Sequence, residues 1–169
     1  MIINHLIKLL NLLQIITITM KINSLKVVSG GQTGVDIIAL EVAHSLGIQT
    51  GGFAANRYMT SHGINLDLKL KYNLIEVSGT LIASYICRSI KNVDMSDGTI
   101  AFRLIGSSGT DKTIGYCKHK KCVKSDQAAV SNYKPVLVIK NVCLLDINSI
   151  VEDCLAFIKC FGKVRFLIC

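Results

Sequence analysis

The chain is poor in the residues that usually announce a function. It has no tryptophan and a single proline, and only 18% of its 169 residues are charged. There is no arginine-rich tract, and its basic residues are not interleaved with aromatics, so a nucleic-acid-binding module is not expected. The Gly-Lys-Ser/Thr of a phosphate-binding P-loop is missing, and so is the G-x-G-x-x-G of a dinucleotide fold. Internal repeats and low-complexity linkers are also lacking. Seven cysteines, at positions 87, 117, 122, 143, 154, 160 and 169, follow no disulfide framework. Reduced thiols in a cytoplasmic protein are the simplest reading. Cys117, His119 and Cys122 lie close together, but no second pair stands nearby to complete the four ligands of a zinc site, and no metal is assigned.

What is present is half apolar, too apolar for a disordered chain and long enough for one domain with a core. The formal charge of +8 suits a small anionic ligand. Met1–Met20 (MIINHLIKLLNLLQIITITM) needs separate treatment. It lacks the basic beginning and small-residue cleavage site of a signal peptide, and Lys8, Asn11 and Gln14 interrupt it as a membrane span. A start at Met20 would leave MKINSLKVVSGG as an ordinary approach to a first strand. Residues 1–21 are therefore set apart as an extension, with a membrane anchor as the alternative, and 22–169 are read as the domain.

Strand and helix signals alternate through that domain. Strands are expected at Leu25–Ser29, Ile48–Phe53, Leu74–Val77, Gly98–Leu104, Pro135–Lys140 and Val164–Ile168. Helices are expected at Val35–Leu46, ending at Gly47, at Thr80–Asn92, from about Asp111, and at Ser149–Phe161. Ala54–Leu70 reads as a long loop, and Pro135–Lys140 as a strand covered on both faces. The fold class is α/β: a single Rossmann-like domain with a mainly parallel sheet and helices on both faces. Right-handed crossovers would then place the loops Gly30–Gly34, Gly51–Phe53 and Gly106–Thr110 along one crevice.

The most informative stretch is Lys26-Val27-Val28-Ser29-Gly30-Gly31-Gln32-Thr33-Gly34-Val35-Asp36. Glycines let the backbone approach an anion closely, and the first N–H groups of the next helix are unpaired and carry the positive end of its dipole. A phosphate fits that position. Gln32 and Thr33 add an amide and a hydroxyl at the helix entrance. Asp36 either complements the dipole or receives a ligand hydroxyl or amine. Gly106-Ser107-Ser108-Gly109-Thr110 offers a second helix start, and Asp97-Gly98-Thr99 leads into the central strand. Arg57, Arg88 and Arg103 are candidate anion clamps. Tyr58, Met59 and His62 either close over a ligand or pack. Each feature also has a plain alternative: a tight turn, an Asp-Gly turn, a solvated arginine. No catalytic set stands out.

These motifs fall in a familiar order. GGQTGVD, LGIQTGGF, Met59-Thr60-Ser61-His62-Gly63, Tyr85 with Arg88, Asn92-Val93-Asp94, SDGTIAF, SSGTDKTIGY and KPVLVI resemble the molybdenum-cofactor carrier family. That family sits in a wider group of Rossmann-like nucleotide-binding proteins that includes cytokinin-activating phosphoribohydrolases. The resemblance runs from about Lys26 to Ile139. It implies an oligomeric binder of the pterin-based molybdenum cofactor or a nucleotide, with a molybdoenzyme as recipient. On matching positions it implies Gly30, Gly31, Gln32, Thr33 and Gly34 as a first wall, and Asp36, read from its own place in the first turn, is added as a candidate ligand contact. Asp97, Gly98 and Thr99 would form a floor, and Ser108, Gly109 and Thr110 a second phosphate loop. This chain departs from the family at Ala55-Asn56-Arg57, where Pro-Lys-Gly is common. It also has Asp111-Lys112-Thr113-Ile114 where the related hydrolases carry a glutamate, which argues against glycosidic hydrolysis.

Overall fold

The computed structural model describes residues 25–103, 106–118, 134–140, 147–161 and 164–169. The extension at 1–21 and the basic stretch at 119–133 lie outside these. Six strands form one sheet: β1 (Leu25–Val28), β2 (Gln49–Ala54), β5 (Leu74–Glu76), β6 (Gly98–Arg103), β7 (Val136–Lys140) and β8 (Val164–Ile168). Their order is β5-β2-β1-β8-β6-β7, and every neighbouring pair is parallel. A separate antiparallel hairpin joins β3 (Met59–Thr60) to β4 (Gly63–Ile64).

Alternation along the strands sorts the core into two layers, as the period of two requires. Leu25, Val27, Ile100, Phe102, Phe166 and Ile168 face one side, where helices α1 (Val35–Ser45) and α5 (Ile147–Lys159) cover them with Ile38, Val42, Ile150 and Ile158. Val28 and Leu167 face the other side, under Val93 of α3 (Leu81–Met95) and Cys117 of α4 (Ser108–Lys118). The sheet is thus wrapped on both faces. Phe157, Phe161 and Phe166 cluster with ring centroids 5.4–5.8 Å apart, Phe161 edge-on to the other two and Phe157 tilted against Phe166.

The last strand settles at the centre of the sheet. β8 pairs with β1 (Val27 beside Phe166) and with β6 (Gly98 beside Phe166). The chain therefore builds outward from β1 to β5, crosses through α3 to β6 and β7, and returns to fill the gap. The connections leave β1 and β6 in opposite directions, and a crevice opens there at the carboxyl ends of the strands.

Three expectations change. Gly51–Phe53 is not a rim loop but lies inside β2. A Cβ on Gly52 would stand 2.4 Å from the Ser29 carbonyl, so this glycine serves close approach of two backbones. The expected long loop contains a 3-10 turn (Asn56–Tyr58), the β3–β4 hairpin and the one-turn helix α2 (Asp67–Leu70). Elements this short carry no period that a sequence window can detect. Leu68 and Tyr58 from this region join Leu40 and Leu74 in a small satellite core. Finally, the strand expected to be covered on both faces, β7, is an edge of the sheet. Of its residues only Ile139 is buried.

Candidate functional site

A cavity of about 400 Å³ opens at the crevice. One wall is the entrance to α1: Gly30, Gln32, Thr33, Gly34, Val35 and Asp36. The opposite wall is the start of α4, with Ser107, Gly109 and Thr110. Arg88, Ser89 and Asn92 of α3 form a third side, and Ile38, Phe102 and Leu167 give an apolar floor. Cys169 also lines it, and burial pushes its thiol well above the ordinary range.

Gly34 is the N-cap of α1 with φ 89, a conformation that favours glycine, and no side chain caps the helix. Ile37 N–H donates back to the Gln32 carbonyl (3.1 Å), so of the first-turn N–H groups those of Val35 and Asp36 are left with neither an intrahelical acceptor nor a capping side chain. The loop before it is not an open amide cradle, however. Gly31 N–H donates to Ser29 Oγ (3.3 Å), Gln32 N–H to Asp36 Oδ2 (3.2 Å) and Thr33 N–H to Gln32 Oε1 (3.0 Å). The fixed donors facing the cavity are thus the helix starts rather than amides 31–33. Ser61 N–H also donates to Gln32 Oε1 at 2.8 Å, and the Thr33 and Ser61 hydroxyls bond to each other. These contacts latch the β3–β4 hairpin onto the glycine loop.

Arg88 is the strongest feature. Its Nη1 donates to Asp36 Oδ2 at 3.1 Å, and the two side chains are only 13% and 12% exposed. Its Nε is buried and has no hydrogen-bond partner among the described residues. The guanidinium lies against Gly30 so closely that a Cβ there would stand 1.2 Å from Nη1. Gly30 is therefore needed for the arginine and not for an unusual backbone angle. Gly31 (φ 68) instead turns its open side towards Leu68 and Leu74, and lines a separate cavity of about 300 Å³ with Thr60, His62 and Asn65.

The residues expected as a floor lie elsewhere. Asp97 sits at the amino end of β6, where Arg165 donates to it from N–H (2.8 Å), Nε (3.2 Å) and Nη2 (3.0 Å). The Arg165 hydrogen bonds hold its carboxyl below the usual carboxylate range. Gly98 packs against Phe166 and Phe157, and the buried Thr99 hydroxyl receives the Cys117 thiol at 3.4 Å. Strand polarity explains the separation: Asp97 precedes β6, while the cavity stands beyond the carboxyl ends of β1 and β8. Ser108 begins α4 but is not among the residues lining the cavity. Of the other arginines, Arg103 pairs with Asp111 on the surface (Nη2 to Oδ2, 3.1 Å). Arg57 is exposed in the left-handed region (φ 55), its N–H donating to Glu76 at 2.7 Å. Tyr58 packs, and His62 belongs to the second cavity.

Ser89, Asn92, Phe102, Thr113, Leu167 and Cys169 were not expected at the site. Asn92 could have been noticed as an amide in a helix. In the structure it brackets the Phe53 backbone, accepting from N–H at 2.7 Å and donating to the carbonyl at 3.0 Å. Among the described residues no group of three or more His, Cys, Asp or Glu is placed to hold a metal ion, and no helix is long and apolar enough to cross a membrane.

A parallel α/β sheet with a cavity at its switch point defines a Rossmann-like domain. Residues 27–149 match the model of the circularly permutated YpsA SLOG family, and the chain belongs to that family. It is also similar to the crystal structure of a “putative molybdenum carrier protein” from Syntrophus aciditrophicus SB. The TM-score is 0.67 and the identity 25%, over 85% of this chain and 79% of that one. The resemblance drawn from the motifs is borne out by both. No curated protein matches.

Proposed function

We propose that the chain is a small-molecule carrier that holds a phosphorylated pterin, as in the molybdenum cofactor, or a nucleotide, without turning it over. The observation that carries this reading is the buried Arg88 Nε with no partner, beside two helix starts in one cavity. A buried donor left unmade costs about 1–3 kcal/mol, and an anionic oxygen would satisfy it. The helix starts at Gly34–Asp36 and Gly109–Thr110 add dipole ends of the same sign. Ile38, Phe102 and Leu167 suit the flat faces of a heterocycle. Asp36, already accepting from Arg88 and Gln32 N–H, has its other oxygen for a ring N–H or amine. Holding is favoured over chemistry because Asp36, the carboxylate at the cavity, is engaged as an acceptor, while Asp97 lies away from the cavity, tied to Arg165.

The test is thermal unfolding with a panel of phosphorylated pterins and nucleotides, together with analysis of the solution for products. A ligand at a hundred times its dissociation constant should add about 2.7 kcal/mol, with nothing released. A flat panel, or release of free base or sugar phosphate, overturns the reading. Small molecules that copurify anaerobically, identified by mass spectrometry, would name the ligand.

A further inference from the structure

The two cavities share a wall. Gly30 and Ile38 line the first, Gly31 and Ile37 the second, so the glycine loop and the start of α1 form a partition. Thr33 lines both. The chemistry divides at that partition. The first cavity holds Arg88 and Asp36, whereas no acidic residue, lysine or arginine lines the second among the described residues. At about 300 Å³ the second is within the range of small-ligand pockets. Its lining sets Thr60, His62 and Asn65 beside Ile37 and Ile64, and Ile64 is an apolar side chain left 58% exposed. Asn65 Oδ1 accepts from Asp67 N–H at 3.1 Å, which fixes the amide and leaves Nδ2 as its donor. The Thr60 hydroxyl is engaged within the hairpin, donating to the Gly63 carbonyl at 2.8 Å and accepting from His62 N–H at 3.1 Å. An amide donor, an imidazole and two isoleucines suit the edge and face of a neutral heterocycle. They do not suit a phosphate.

We infer that the ligand is a dinucleotide, two heterocycles joined through a pyrophosphate, with its second ring in the cavity beside the β3–β4 hairpin. The phosphates lie with Arg88 and the helix starts, and the first ring lies on the floor of Ile38, Phe102 and Leu167. This rests on the carrier reading of the first cavity. The hairpin that builds the second cavity is fastened to the partition itself. Ser61 N–H donates to Gln32 Oε1 at 2.8 Å, and the Ser61 and Thr33 hydroxyls bond to each other. On its other side the hairpin is tied to α3, where the Tyr85 hydroxyl donates to the Met59 carbonyl at 3.3 Å. Gln32 and Thr33 thus line the phosphate site and hold the ring pocket in place, so both halves are preorganised together. A mononucleotide uses only the first cavity. The G-x-G-x-x-G loop is not needed, because the uncapped start of α1 and Arg88 supply the donors for the phosphates.

Calorimetric titration of the full chain with matched pairs tests this. Adenosine, guanosine, flavin and pterin monophosphates are each compared with their pyrophosphate-linked dinucleotides. In at least one pair the dinucleotide should bind about tenfold tighter or more, since the second ring binds intramolecularly once the first is held. His62→Ala and Ile64→Ser, both at exposed positions that the fold tolerates, should each cut that advantage to about threefold or less. The ratio within a pair is the readout, because a general loosening of the site lowers both affinities and leaves the ratio unchanged. Mononucleotides that bind as tightly as their dinucleotides overturn the inference while the carrier reading stands. So does an advantage that both variants leave intact. Failure of every mononucleotide and dinucleotide to bind removes the carrier reading, and this inference with it.

Discussion

Two aspartate–arginine pairs sit at opposite ends of the same sheet. Both close at about 3 Å, Asp36 with Arg88 and Asp97 with Arg165. At the carboxyl end, Arg88 is held in a cavity by a single carboxylate oxygen, with Nε unmatched and Gly30 kept bare to admit it. At the amino end, Arg165 is 52% exposed and its backbone N–H, Nε and Nη2 all reach Asp97. One pair is surplus in donors where a ligand can enter, and the other is complete where none is needed. Under the proposed function, the same two residue types would separate into binding and fastening according to what surrounds them.

Removing Arg88 should break this contrast most severely. Arg88→Met leaves Asp36 without its counter-charge in a largely buried site, and urea unfolding should show a loss of about 3 kcal/mol. Ligand-dependent stabilisation should vanish with it. Retained stabilisation by the ligand would remove Arg88 from the site. Gly30→Ala comes next. The new Cβ displaces the guanidinium from Asp36, but the arginine can swing towards solvent, so about 1–2 kcal/mol is expected, with binding lost as fully as in Arg88→Met. Binding that survives in this variant would mean that the guanidinium position is unimportant.

Asp97→Asn should have the smallest effect. An exposed pair contributes about 0.5 kcal/mol at neutral pH, and ligand binding should be untouched. The Asp97 carboxyl is held low in the folded protein, so its stabilisation is present above the unfolded value of about 3.9 and fades as pH falls through the folded one. Wild type and Asp97→Asn should therefore differ in urea midpoint at pH 7 and converge in strong acid. A constant difference across that range would show that packing, and not the charge, makes the pair.

Much of the fold could be read from the chain because it depends on local signals. The run Val27-Val28 into glycines, the broad apolar face ending at Gly47, and the β-rich GTIAFR each declare an element over a few residues. Family membership was legible for the same reason, since the motifs are contiguous. The site was legible only in part. Gly30, Gln32, Thr33, Gly34, Asp36, Gly109 and Thr110 do line one cavity, because each lies at the entrance to a helix that follows a strand. Asp97, Gly98 and Thr99 carried an equally suggestive motif but stand at the beginning of their strand, and the direction of β6 takes them to the other rim. The amides of residues 31–33 read as free because nothing local shows that Ser29, Asp36 and Gln32 fold back onto them.

By itself, the order of residues determined the alternation of elements, and hence a parallel sheet with helix entrances along one edge, because hydrophobic period and glycine placement act within a dozen positions. Only the tertiary structure decided that the last strand enters the middle of the sheet, that an arginine 52 residues away meets Asp36, and that α3 turns its isoleucines outward. Those outcomes depend on which surfaces meet across the sheet. Burial and pairing between distant segments fix them, and no local pattern encodes that choice.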